Sequence, residues 1–260
     1  MSKNMDNNDD DSLANGMIAL GVLTFIVLQF VNSPFGKHTS MGSMSFGPLL
    51  PARTCWFIME CPNLIHIVLR LSDSLSLYSY RPANFTLLMM FGIHYFNRSI
   101  IYPLRMNRNA KPMPLAVMLC ALFFCSINGY LQVCSLCYSN RFPEGYCYGI
   151  RFLFGVCIFI YGFFTNLQSD AILRGLKKQN EDEYRIPKGG MFEFVSCANF
   201  LGEIIEWAGF CIACNSRASF AFWFYTCCNL IPRAVSHHRW YKAHFKDYPV
   251  ERKAVFPYMV

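Results

Sequence analysis

Seven apolar runs of spanning or near-spanning length, joined by short polar connections, leave this chain few folds to adopt. They cover roughly Met17 to Asn32, Thr54 to Leu69, Phe85 to Leu104, Pro114 to Leu136, Ile150 to Leu167, Phe192 to Ala213 and Ala218 to Ile231. A hydrocarbon core of about 30 Å is crossed by about twenty apolar residues in a helix, and unpaired backbone is not tolerated there. The pattern therefore predicts an all-α polytopic membrane protein, a seven-transmembrane-helix bundle. Charged residues make up 15% of the 260-residue chain, against about 25% in soluble domains. A soluble enzyme and a disordered chain are both disfavoured.

The first sixteen residues are polar and acidic, with Asp6, Asp9, Asp10 and Asp11, and read as a disordered tail. The run from Met17 lacks a preceding basic flank and a following small-residue cleavage site, which marks a retained span rather than a signal peptide. The longest polar insertion, Gln168 to Gly190, is too short for a second domain, so residues 17–260 form one domain ending in a C-terminal tail. The thirteen cysteines lie mostly in apolar stretches, where a thiol acts as a small apolar group. Two CxxC spacings, Cys134/Cys137 and Cys211/Cys214, lack the second pair or the His that a zinc site needs, and no metal is expected.

The net charge of +7 is not collected on one face, as nucleic-acid binding would require. It follows topology instead. One set of alternate loops carries Lys37, Arg53, Arg105, Arg108, Lys111, Arg174, Lys177, Lys178, Arg185, Lys188, Arg233, Arg239, Lys242, Lys246, Arg252 and Lys253. The other carries Lys3, Arg70, Arg81, Arg141, Arg151 and Arg217. Sixteen cations against six place the C terminus in the cytosol and the N terminus outside, an outcome that needs an odd number of spans.

Polar residues within the apolar runs fall at helical spacing. Asn166, Asp170, Arg174 and Lys177 share one stripe, Asn199, Glu203 and Glu206 another, and Arg233, His237 and Tyr241 a third. His94, Arg98 and Tyr102 share a face with Tyr95 close by, and Glu60 is the sole acid of its run, near Pro62. A single such residue is as well explained by an interhelical hydrogen bond worth about 0.6 kcal/mol. Five runs with polar stripes imply an internal cavity open to the basic side. Arg98, Arg174, Lys177 and Arg233 can neutralise phosphates, the amides and carboxylates can bind hydroxyls, and apolar walls can hold a lipid. Neither GxGxxG nor GxxxxGK[ST] is present, so a nucleotide would be held by helix side chains. No Ser/His/Asp or Cys/His constellation can be placed by spacing.

These residues sit in motifs that resemble the steroid 5α-reductase family. The matching stretches are Gly36-Lys37-His38, Pro51-Ala52-Arg53 through Trp56-Phe57 to Glu60, His94-Tyr95-Phe96 with Arg98, and Lys111-Pro112-Met113-Pro114. They continue with Asn128-Gly129-Tyr130-Leu131-Gln132, Asn166 with Ser169-Asp170, Tyr184-Arg185-Ile186-Pro187, Ala198-Asn199-Phe200 with Gly202-Glu203, Glu206-Trp207, Pro232-Arg233-Ala234, His237-His238 and Trp240-Tyr241. Ser99 to Arg105 and Tyr225 to Arg233 look like the plant members that act in brassinosteroid synthesis. The resemblance implies a seven-helix enzyme of the endoplasmic reticulum membrane, with a lumenal N terminus, that uses NADPH to reduce the 4,5 double bond of a 3-oxo-Δ4-steroid. Glu60 and Tyr95 would engage the 3-keto oxygen. Arg98, Asn166, Asp170, Arg174, Lys177, Tyr184, Arg185, Asn199, Glu203, Arg233, His237 and Tyr241 would line the cofactor site. Three positions depart from the family pattern: Asn97 where several relatives have a second His, Lys177 where vertebrate members have Arg, and Cys120 where at least one has Arg. A membrane reductase of an enoyl-CoA or polyprenol precursor is the nearest alternative. An isoprenylcysteine-type methyltransferase and a lipid transporter or receptor stand further off.

Overall fold

The computed structural model describes residues 7–31, 46–71, 81–107, 110–176 and 184–259. Helices form nearly all of the regular structure. They are α1 (Asn7–Phe30), α2 (Ala52–Leu71), α3 (Pro82–Phe96), α4 (Leu115–Cys134), α5 (Ile150–Leu176), α6 (Ala198–Cys214) and α7 (Arg217–His244). A two-residue antiparallel pair, β1 (Leu49–Leu50) with β2 (Met113–Pro114), ties the approach to α2 to the start of α4, with Leu49 opposite Pro114. Among the described residues, three helical segments are long and apolar enough to cross a membrane: Asp10–Phe30, Leu115–Ser139 and Ile150–Leu176.

Helix ends follow local chemistry. Pro82 sits in the first turn of α3, where its missing N–H is no loss. Ser216 caps α7 through a reciprocal pair with Ser219, and Asn215 ends α6 in the left-handed region at φ 49°. Pro62 lies inside α2, which continues through it. After Phe96, α3 runs into a π-turn over Asn97–Ile101 and a last turn over Tyr102–Arg105, so the widened segment carries Arg98.

Several boundaries differ from those expected. Helix α1 starts at Asn7, within the segment expected to be a disordered tail, because Asp10 is buried and accepts from the Ser139 hydroxyl. The fifth and seventh helices outrun their apolar segments, to Leu176 and His244, since their polar ends find partners within the protein. The sixth begins only at Ala198. Residues Gly190–Glu193 form a 3-10 turn after Gly189 and Gly190, both at positive φ, and the chain then pairs with the C-terminal segment. That segment is not a loose tail. Ser196 and Cys197 donate backbone hydrogen bonds to Lys253 and Ala254, and the Arg252 guanidinium donates to the Pro187 carbonyl at 2.8 Å. Residues 1–6, Gly36-Lys37-His38, Arg108 and Lys177 lie outside the described residues.

Four glycines set the closest packing. Gly155 and Gly162 on α5 face Gly209 and Gly202 on α6. A Cβ on Gly155 would stand 2.5 Å from the Ala213 nitrogen, and one on Gly202 would stand 2.5 Å from the Asn166 nitrogen. Gly162 and Gly209 are tighter still, against the backbones of Glu206 and Phe159. Small residues let two backbones touch, and dispersion contacts along the seam then hold the pair together where lipid offers no hydrophobic drive. A similar approach at Gly129 seats α4 against Asn63 of α2. Around the seam, Phe91, Trp207, Phe210 and Phe222 form a buried aromatic core. The outward faces of α1 and α5 expose Leu23, Ile26, Phe30, Phe154, Ile160 and Phe164, as a surface in contact with lipid requires.

Replacing Gly162 with Leu is expected to cost about 1–3 kcal/mol or more through overpacking. Gly175→Ala on the same helix meets open space and is expected to be neutral or mildly stabilising. Thermal unfolding of the two variants in detergent measures the difference.

Candidate active site

The glycine seam lines up the polar stripes of α5 and α6. Asn166 donates to the Asn199 carbonyl at 2.9 Å across the interface. One helical turn further on each helix, Asp170 and Glu203 meet the same cation. Arg98, carried by the π-turn, donates Nη1 to Asp170 at 3.2 Å and Nη2 to Glu203 at 3.1 Å. Its guanidinium also lies 4.9 Å from the Trp56 ring centroid and 5.1 Å from that of Tyr102. Four helical segments, α2, α3 with its π-turn, α5 and α6, thus converge on one guanidinium. A buried charge is tolerated only with such partners, and Asp170 and Glu203 supply them to Arg98.

Beside this group runs a second pair. His94 Nδ1 lies 2.7 Å from Glu206 Oε1, both side chains being almost wholly buried, and the imidazole packs edge-on against Trp207. The next residue, Tyr95, is buried with its ring near Phe91 and Trp207. Its phenolic oxygen accepts from Asn128 Nδ2 at 3.2 Å. Glu60, half-buried on α2, accepts from the Cys125 thiol at 3.5 Å. Cys125 and Asn128 are one turn apart on α4, so Glu60 and Tyr95 are drawn to neighbouring points of one helix.

The remaining candidates spread toward the end of the bundle that holds the C-terminal segment. Arg174 lies in the last turn of α5, within electrostatic range of Asp170. Arg233 stacks 5.1 Å over the Phe200 ring, within range of Glu203, and its buried Nε has no hydrogen-bond partner among the described residues. The His237 ring lies 5.8 Å from that of Phe200. Tyr184 packs against Trp240 with Lys111 5.2 Å above its ring, and Arg185 beside it is exposed. Tyr241 is buried and stacks on Tyr248 at 5.4 Å, which places it under the C-terminal segment and apart from the Arg98 group. Among the described residues, no three His, Cys, Asp or Glu side chains are placed to hold a metal.

The sequence has counterparts among known proteins. The profile of the 3-oxo-5-alpha-steroid 4-dehydrogenase family matches residues 111–260, more than half of the chain. Similarity extends further along individual relatives. A bovine (Bos taurus) 3-oxo-5-alpha-steroid 4-dehydrogenase 1 is 40% identical over 252 residues, covering 96% of each chain. The chain belongs to the 3-oxo-5-alpha-steroid 4-dehydrogenase family. Other members it resembles are the steroid 5-alpha-reductase DET2 of Gossypium hirsutum, 42% identical over 241 residues (91% of this chain, 92% of the relative), and the 3-oxo-5-alpha-steroid 4-dehydrogenase 2 of Rattus norvegicus, 46% identical over 227 residues (86% and 87%).

Within this family member, the sequence signal missed the groups that touch the candidates. Asn128 and Gln132 lie in a matching motif and His94 and Glu206 on polar stripes, yet spacing alone assigned them no role in the site. Cys125 carries no signal at all among so many apolar cysteines.

Replacing Arg98 with Gln leaves the buried Asp170 and the half-buried Glu203 without their cation and is expected to cost about 3–5 kcal/mol. Adding Asp170→Asn and Glu203→Gln should restore most of the lost thermal stability. Failure of that triple variant to recover would move the cause of destabilisation away from unpaired charge.

Proposed function

We propose that the protein is an NADPH-dependent steroid 5α-reductase, which saturates the 4,5 double bond of a 3-oxo-Δ4-steroid. The observation that carries this reading is the convergence of Glu60 and Tyr95 on one turn of α4, beside the Arg98–Asp170–Glu203 group, in a chain of this family. The names of its relatives supply the substrate class: a 3-oxo-steroid that is exchanged between its 4-ene and 5α-saturated forms.

The donor set fits a phosphorylated dinucleotide. Arg233 holds a buried guanidinium N–H without a hydrogen-bond partner among the described residues, and Arg174 and Arg185 lie toward the same end. Lys177 follows Arg174 in the sequence on the same stripe. These cations would take the phosphates, while Asn166, Asn199, Asp170 and Glu203 would take hydroxyl and carboxamide groups nearer the bundle interior, with Tyr184, His237 and Tyr241 closing the cofactor region. When bound, NADPH supplies the hydride that adds to C5.

Reduction of the conjugated enone drives negative charge onto the 3-keto oxygen. Tyr95 would donate a hydrogen bond to that oxygen as the charge grows, which favours the transition state over the ground state. Glu60, next to it, would share in orienting the carbonyl. The aromatic core of Phe91, Trp207 and Phe222 excludes water from this side of Tyr95 and strengthens the interaction. The exposed apolar helix faces support a membrane setting, from which a steroid could partition directly. In the proposed topology seven helices cross the endoplasmic reticulum membrane, with the N terminus lumenal and the basic, C-terminal side cytosolic.

Washed membranes containing the protein are expected to convert a 3-oxo-Δ4-steroid to its 5α-dihydro product with NADPH and much less with NADH. The panel should include androgen, progestogen and plant-sterol enones. Turnover by Tyr95→Phe is expected to fall about a hundredfold or more, with NADPH binding little changed. Absence of product across the whole panel would overturn the reading.

A further inference from the structure

Behind Tyr95 lies a chain of amides that points in only one direction. Gln132 Nε2 donates to the backbone carbonyl of Ala218, at the start of α7, at 2.9 Å. A carbonyl can only accept, so the end of the Gln132 amide that faces it must be the NH2 group. The same nitrogen lies 3.3 Å from Asn128 Oδ1, and its second N–H donates there. With its oxygen engaged in this way, Asn128 must present its own NH2 group on the other side, where Nδ2 donates to the Tyr95 oxygen at 3.2 Å. All three side chains are buried, Asn128 at 0%, Gln132 at 1% and Tyr95 at 4% exposure, so water does not compete for these partners.

We propose that Gln132 and Asn128 are positioning residues: they form a polarity relay, anchored on the Ala218 carbonyl, that fixes the Tyr95 oxygen as an acceptor on this side and so aims its O–H into the substrate site. The idea rests on the steroid reading given above and adds to it the reason that Tyr95 acts as a donor. A phenol has one proton, which can take either of two orientations near the ring plane about the C–O bond. Without a fixed neighbour the proton can point to the nearest acceptor in the protein instead of to the substrate. A donor behind the oxygen removes that choice, and it also polarises the phenol, which strengthens the hydrogen bond it gives forward. The relay couples the start of α7 to α4 and α3 through side chains alone, so the geometry of the α6–α7 turn bears on the direction of one proton.

The informative substitution is Asn128→Asp. It keeps the shape of the side chain and still accepts from Gln132, but once ionised, at a pH above its own pKa, its second oxygen cannot donate to Tyr95 and would draw the phenolic proton backward. The relay predicts that kcat falls about a hundredfold while steroid KM and NADPH affinity stay within a few-fold. It also predicts that Asn128→Ala, which leaves the phenol free to turn, is the less damaged of the two. A packing role for Asn128 predicts the opposite order, since Ala opens a cavity and Asp does not; a rate for Asn128→Asp equal to or above that of Asn128→Ala overturns the relay. In a Tyr95→Phe background, adding Asn128→Asp should bring little further loss, and an equal additional loss would again count against it.

An independent arm needs neither turnover nor a variant at position 128. Infrared difference spectra of wild type and Tyr95→Phe, with tyrosine isotope-labelled at the phenolic carbon, isolate the C–O stretch of Tyr95. The relay predicts the frequency of a phenol whose oxygen accepts a hydrogen bond, and the frequency of one that only donates overturns it. If the wild type reduces no steroid enone, the functional reading fails, and the infrared arm still decides the direction of the relay.

Discussion

The backbone contact between α5 and α6 is the constraint on which the rest of the site depends. Gly155, Gly162, Gly202 and Gly209 carry no side chain to hold the helices apart, and the stripes that bear Asn166, Asp170, Asn199, Glu203 and Glu206 are brought together as a consequence. Once Asp170 and Glu203 face the same point, a cation must sit between them. The π-turn at the end of α3 delivers Arg98 there, and the same segment places His94 against Glu206 and Tyr95 against α4.

Charge in this interior is arranged in a graded way. Around Tyr95 the polar groups are matched to one another: Arg98 to two carboxylates, His94 to Glu206, and the amides in a directional chain. Under the proposed function, such internal pairing would suit this end of the bundle to a neutral, apolar substrate. Toward the end of the bundle capped by the C-terminal segment the balance changes. There the described residues include the cations Arg174, Arg185, Arg233 and Lys111, and the C-terminal residues, clasped by Arg252 to Pro187 and by Ser196 to Tyr248, hold the loop before α6 in place. A phosphorylated cofactor and a steroid would thus occupy regions of different polarity within one bundle, joined at the Arg98 group.

Much of this was legible in the sequence because helical spacing survives translation into structure. The intervals of three and four residues that linked Asn166 to Asp170 and Asn199 to Glu203 and Glu206 are the intervals of real helix faces, and among the described residues each apolar run falls largely on a helix, three of those helical segments being long and apolar enough to cross a membrane. The ends of helices were less legible. Asp10 reads as tail until Ser139, distant in the chain, arrives to pair with it, and the sequence from Phe192 reads as span until the C-terminal segment pairs with its backbone. The direction of the Asn128 amide has no local signal whatever, since it is set by a carbonyl on another helix. Nor does the sequence distinguish the seam glycines from Gly175, which faces open space.

The central claim is that this site delivers hydride to one carbon of a steroid enone whose carbonyl is held by Tyr95. Mass and nuclear magnetic resonance analysis of the product made from a 3-oxo-Δ4-steroid with NADPH deuterated at the transferable position tests it most directly. The account predicts a single deuterium, bound to C5 on the α face, in a product that keeps its 3-keto group. Deuterium at C3 of an alcohol would show that the carbonyl itself is reduced and would contradict the account.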